Sequence, residues 1–266
     1  MEATLKRYLT SCCLLLCCVL GLVGGTAFAE TMTIHSAINK AGRQRMLSQR
    51  MAKAYCQVGL GVETDRSKKI LEESVALFDR QLTDLKSFAP TPEIKDTYDR
   101  LGQTWIVYKQ LLTGSKPNPE NAKKIASASE DVLTLAQQGT VQLEKHSGTA
   151  AGKLINVAGR QRMLSQRIAK ASMFRAWGIT FPQMAQELDS SAREFAAAQE
   201  LLTAARQNTP AIRSALQLAG SQWLFFEEAL KQTGVSRAEQ LRNIATTSER
   251  ILQVMDDVTG MYEGLR

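Results

Sequence analysis

INKAGRQRMLSQRMAKA, residues 38–54, returns as INVAGRQRMLSQRIAKA at residues 155–171. The copies differ only at Lys40/Val157 and Met51/Ile168, so 15 of 17 positions are identical. Around this box the chain repeats more loosely. Thr91-Pro92-Glu93-Ile94 returns as Thr209-Pro210-Ala211-Ile212, Trp105 as Trp223, and Ser129-Glu130 as Ser248-Glu249. The offset drifts from 117 at the box to 119 at the Ser-Glu pair, as single-residue changes in loops produce. Two units of about 115 residues follow, each the size of a small domain.

Within each unit, glycine and proline cluster at a few places. The long segments between them are rich in Ala, Leu, Gln, Glu, Lys and Arg with helical periodicity. Start signals are specific. Thr91-Pro92, Thr209-Pro210 and Asn118-Pro119 each place an N-cap before a first-turn proline. Ser236-Arg237-Ala238-Glu239 is a capping box. Helices are expected near 32–60, 65–89, 92–113, 119–146, 150–178, 181–207, 210–232 and 236–263. Short connections make neighbours antiparallel, so the expected class is all-α, two tandem antiparallel four-helix bundles related by a pseudo-two-fold. The bundles are assigned to residues 30–147 and 148–266. Phe78, Trp105, Tyr108, Phe195, Trp223, Phe225 and Phe226 are assigned to their cores.

On a helical wheel the box has two faces. Leu47, Met51, Ala54 and Val58 form an apolar stripe for the bundle's own core. Nearly opposite lie Ala41, Arg45, Ser48 and Ala52, flanked by Gly42 and Gln49. The second copy places Ala158, Arg162, Ser165 and Ala169 beside Gly159 and Gln166 in the same way. Small residues let another helix approach, and the guanidinium among them offers five fixed donors. If His146-Ser147-Gly148-Thr149 is a hairpin, the boxes run parallel and face to face, with Arg45 meeting Arg162. Two such charges about 6 Å apart repel by about 3 kcal/mol at an effective dielectric near 20. A small planar anion between them removes that penalty. Nitrate, nitrite, a carboxylate or sulfate would each satisfy this. The remaining box cations, Arg43, Arg50, Lys53, Arg160, Arg167 and Lys170, are read as a solvated or weakly ion-paired face.

The first residues read as an export signal. Lys6 and Arg7 precede an apolar run, Leu14 to Val23, and Thr26-Ala27-Phe28-Ala29 offers a cleavage site before Glu30. Residues 1–29 are therefore assigned as a signal peptide, with an uncleaved anchor as the alternative. The expected location is the periplasm, and no later apolar run is long enough to span a membrane. Cleavage removes Glu2, Lys6 and Arg7 and takes the net charge from +7 to +6. That is no signature of nucleic-acid binding. Four of the five cysteines lie in this leader, which leaves Cys56 and no intrachain disulfide.

Ala41-Gly42-Arg43-Gln44-Arg45-Met46-Leu47-Ser48-Gln49-Arg50 resembles the signature of the sensory domain of type IV pilus methyl-accepting chemotaxis proteins (PilJ-type). That domain is similar to the periplasmic input domain of nitrate/nitrite sensor histidine kinases. The resemblance implies an antiparallel four-helix bundle that pairs through its first helix. It also implies that the arginine before the methionine of the box binds the anion from both sides. The matching positions are Arg45 and Arg162, with Gly42, Gly159, Ser48 and Ser165 also on the pattern and Gln49 and Gln166 beside them. The expected partners are a small anion (nitrate, nitrite or a carboxylate) and a membrane chemoreceptor or sensor. No cofactor or metal is expected.

The competing reading is a structural or protein-interaction module of the cell envelope. Its boxes are then packing or docking surfaces whose arginines pair with acids such as Glu72, Glu73, Asp131 or Glu187. The two boxes can meet within one chain or across a dimer. An enzyme is disfavoured. His35 and His146 stand near helix ends in no metal-ligand spacing, and the pairs Glu72-Glu73 and Asp256-Asp257 diverge on a helix.

Overall fold

A computed structural model describes residues 32–182 and 184–265. The signal-peptide assignment falls outside them. The described residues form eight helices. They are α1 (Ile34–Leu60), α2 (Thr64–Phe88), α3 (Pro92–Thr113), α4 (Pro119–Ser147), α5 (Ala150–Ala176), α6 (Met184–Thr203), α7 (Pro210–Lys231) and α8 (Arg237–Glu263).

The start signals act as the sequence implies. Thr91, Asn118, Thr209 and Ser236 each accept, through the side chain, a backbone N–H three residues on. Thr33 and Thr149 cap the two box helices in the same manner. Each such cap contributes about 1 kcal/mol by satisfying an orphan donor. Gly61 (φ 71°) and Gly148 (φ 61°) end α1 and α4 in the left-handed region, where glycine carries no Cβ penalty. Helix α6 is shorter than the expected 181–207. It begins after Pro182, and the Asn208 side-chain amide donates to Leu202 O at 2.7 Å and Thr203 O at 3.3 Å, closing its last turn.

In the first half, α1 packs against α2 and α4, and α3 against α4. The second half repeats this, with α5 against α6 and α8, and α7 against α8. Each core holds the same aromatic stack. Phe78 lies on Trp105 with centroids 4.0 Å apart, and Phe195 on Trp223 at 3.9 Å. Tyr108 and Phe226 meet those indoles edge-on. Such pairs contribute about 0.5–1.5 kcal/mol beyond the area they bury. Phe225 is not core. It precedes the buried Phe226 by one residue, which places it about 100° around the helix, and is 58% exposed. Leu224 beside it is exposed, as are Ile106 and Val107 at the equivalent place of α3.

The most extensive helix–helix contact in the molecule is α1 against α5, across the two halves. The two helices run parallel. His35 meets Thr149 at their starts at 3.0 Å, and the Tyr55 and Trp177 rings lie 6.3 Å apart at their ends. The box helices are consequently buried almost all round, on both of the faces distinguished in the sequence.

Candidate functional site

Gly42 and Gly159 face each other where α1 crosses α5. A methyl group on Gly42 would stand 3.7 Å from Gly159 Cα, and one on Gly159 would stand 3.7 Å from Gly42 Cα. The same two points locate the guanidinium groups. A Cβ at Gly42 would lie 3.2 Å from Arg45 Nη2 and 3.4 Å from Arg162 Nη2. At Gly159 the distances are 3.1 Å to Arg162 Nη2 and 3.3 Å to Arg45 Nη2. Glycine at both positions leaves room for two guanidinium ends, and Arg45 and Arg162 converge there with 0% exposure.

Each arginine reaches into the opposite half. Arg45 Nη2 donates to Asn156 O at 3.1 Å, and Arg162 Nη2 donates to Asn39 Oδ1 at 2.9 Å. Asn39 donates in turn to Glu263 Oε2 at 2.5 Å, and Asn156 to Glu144. The two arginines differ in their other partner. Arg162 pairs with the Asp256 carboxylate, which also takes Arg43 at 2.6 Å. Arg45 Nη1 instead donates to the neutral Gln137 Oε1 at 2.6 Å, which Arg160 shares at 3.0 Å. Burial and the neighbouring charges of Arg160 and Arg162 lower Arg45 to about 9. Arg162, lowered by burial and partly restored by Asp256, stands at about 10. Both carry their charge at neutral pH. Arg45 Nε, Arg162 Nε and the Tyr98 hydroxyl are buried and meet no hydrogen-bond partner among the described residues. Tyr98 lies close enough to Arg45 for the guanidinium charge to offset part of the upward push that burial gives its hydroxyl.

The other predicted site residues are buried but engaged elsewhere. Ser48 Oγ and Ser165 Oγ donate to Arg45 O and Arg162 O within their own helices, at 2.8 and 2.9 Å. Gln49 Nε2 donates to Ser129 O at 3.2 Å, and Gln166 Nε2 to Ser248 O at 3.0 Å. The two glutamines tie the box helices to α4 and α8, and none of the four side chains joins Arg45 and Arg162 at the glycine crossing.

The flanking cations are not a solvated face. They clasp the two halves crosswise. From α1, Arg50 and Lys53 both bind Glu249 of α8 at 2.6 Å, and Lys53 also donates to Ser248 Oγ at 3.1 Å. From α5, Arg167 and Lys170 bind Glu130 of α4 at 2.7 and 2.5 Å, and Lys170 donates to Ser129 Oγ at 3.2 Å. Lys53 and Lys170 are buried. Burial alone would raise Glu249, but Lys53 and Arg50 outweigh it and hold the carboxyl at about 2. Asp256 and Glu130 are lowered by the same balance. Of the acids proposed from sequence, Glu187 meets Arg167 at 3.5 Å, while Glu73 pairs with Lys69 on its own helix. The Ser129-Glu130 and Ser248-Glu249 repeats were the signal for the true partners. Each lies on the fourth helix of the opposite half from the cations it holds.

Both copies of the 17-residue segment thus build one two-fold interface, in which most polar side chains have an equivalent across the axis. No helix among the described residues is long and apolar enough to cross a membrane. No curated protein and no solved structure matches the chain. The family described as type IV pili methyl-accepting chemotaxis transducer N-term (PilJ) matches residues 34–139 and again residues 145–252. The chain belongs to this family and carries its domain as two tandem copies.

Proposed function

We propose that this protein is an exported, non-enzymatic sensory module of the periplasm that binds a small anion at the α1–α5 seam and reports through a membrane chemoreceptor partner. The observation that carries this reading is the convergence of two buried guanidinium groups with a carboxylate on only one of them: Arg162 pairs with Asp256, Arg45 with neutral Gln137. A buried cation without a counter-charge costs several kcal/mol, roughly, and a trigonal anion accepting from both arginines offsets that cost. Nitrate, nitrite and carboxylates have the required shape and charge. The similarity of the box to that of nitrate/nitrite sensor kinases favours the first two. Both arginines are shielded from solvent, so the anion enters only when α1 and α5 part. Occupied and empty states then differ at the seam, which supplies the differential interaction that signalling needs.

A thermal-shift titration with nitrate, nitrite, acetate, sulfate and chloride at matched ionic strength tests this. At a hundred times its dissociation constant, a bound anion stabilises the native state by about 2.7 kcal/mol. A selective shift lost in Arg45→Met plus Arg162→Met is the expected result. No shift with any of the five anions would contradict the proposal.

The crosswise clasp supports a second reading, a structural or docking module in which the boxes only join the two halves. Lys53, Arg50, Lys170 and Arg167 all find their partners inside the chain. On that reading the double methionine variant is at least as stable as the parent and no anion distinguishes the two.

A further inference from the structure

Between α1 and α2 of the first half and α8 of the second runs a groove of about 690 Å³. Its floor includes the apolar side chains of Met46 and Leu252, and Arg43, Arg50, Arg66 and Arg250 line it. Two carboxylates also line it, Glu249 and Asp256. Both are already committed. Glu249 holds Arg50 and the buried Lys53, and Asp256 holds Arg43 and the buried Arg162. Arg66 and Arg250 are exposed, and no ion pair holds either among the described residues. Four arginines and two committed carboxylates therefore line the groove, and Arg66 and Arg250 are the surplus charge that faces it.

This surplus does not follow from the repeat. The box arginines are duplicated, yet the equivalent face of the second half carries carboxylates at two positions where the groove has an arginine and a leucine. Asp131 stands where Arg250 does, and Glu194 where Leu77 does. Glu194 binds Arg160, and Glu187 approaches Arg167 at 3.5 Å. On the groove face Glu249 and Asp256 are taken up by the box cations, and no ion pair among the described residues reaches Arg66 or Arg250.

We infer that this groove is a second binding site, distinct from the Arg45–Arg162 crossing, for a small molecule bearing two or more carboxylate or phosphate groups. The volume suits a ligand of ordinary metabolite size, and the apolar floor suits its carbon skeleton. Arg66 and Arg250 supply charge-assisted donors to the anionic groups, one from each half of the molecule. A ligand held between them bridges α2 and α8 and so ties the two halves together from outside the seam.

Isothermal titration calorimetry with citrate and with pyrophosphate, at fixed ionic strength and with chloride as control, tests the inference and separates carboxylate from phosphate chemistry. At least one probe is expected to bind. Its affinity is expected to fall by at least about tenfold in Arg66→Glu plus Arg250→Glu, the loss of two charge-assisted contacts. Both positions are exposed and unpaired among the described residues, so the fold is expected to survive the exchange. Arg45→Met is expected to leave this binding unchanged, which separates it from the anion site of the seam. Absence of binding by both probes, or equal binding by the parent and the charge-reversed variant, would overturn it.

Discussion

Gln137 and Asp256 occupy equivalent positions on α4 and α8, 119 residues apart, and each accepts from two arginines of the box helices. One is neutral and the other charged, so an otherwise two-fold interface is electrostatically lopsided at its centre. Gln137→Asp would give Arg45 the partner that Arg162 already has. The variant is expected to be more stable by about 1.5–3 kcal/mol, the net value of a hydrogen bond to a charged group. It is also expected to lose its response to added anions, since the new carboxylate takes their role. Asp256→Asn should do the reverse on both counts. Chemical denaturation with and without nitrate measures both effects.

The glycine crossing sets how closely α1 and α5 pack. Gly42→Ala gains helix propensity of about 1 kcal/mol but sets a methyl 3.2 Å from Arg45 Nη2. Gly42→Leu has no such room. It is expected to destabilise by about 1–3 kcal/mol through overpacking, and Gly159→Leu by a similar amount. Equal losses from the two variants in thermal denaturation would bear out the two-fold character of the seam.

The clasp predicts an asymmetry between its two members. Glu249→Gln leaves Lys53 buried without a counter-charge and is expected to cost about 3–5 kcal/mol. Lys53→Met leaves Glu249 with Arg50 and fills the same space with an apolar side chain, so its cost is expected to be much smaller. Glu130→Gln and Lys170→Met should behave in the same way, because Arg167 remains beside Glu130. Urea denaturation of the four variants checks the order.

Acid should loosen the molecule through the same groups. Glu249 is held at about 2, against about 4.3 for an unfolded glutamate. A depressed carboxylate contributes stability that is fully present above the unfolded value and lost as pH falls through the folded one. Glu130 and Asp256 are shifted in the same direction. Unfolding free energy is therefore expected to fall steeply between about pH 4.5 and pH 2, and the slope should flatten in Glu249→Gln. Denaturation midpoints across that range measure it.

Much of the fold was readable because each signal is local. Caps at Thr91, Asn118, Thr209 and Ser236 and the break at Gly148 fix helix limits from a few residues. The meeting of Arg45 and Arg162 was readable only as one alternative, given a hairpin at residues 146–149, and the same two boxes could equally have met across a dimer; packing of α1 on α5 decides it. The role of Lys53 and Lys170 was not. Their partners Glu249 and Glu130 lie far along the chain in the opposite half, and a helical wheel places a lysine on a face without saying what covers it. Phe225 was misassigned for a related reason. Adjacent aromatics on a helix cannot both face one core, and composition alone does not choose between Phe225 and Phe226.

The most direct test of the seam as an anion site observes the arginines themselves. The Nε–H groups of Arg45 and Arg162 are buried and meet no partner among the described residues. Their NMR signals, assigned with Arg45→Lys and Arg162→Lys, would be followed while nitrate and then acetate are added at constant ionic strength. The account predicts a saturable shift of both signals with at least one anion, larger for Arg45, which has no carboxylate of its own. Signals that stay fixed under both anions would contradict it and leave the box as a joint between the two halves.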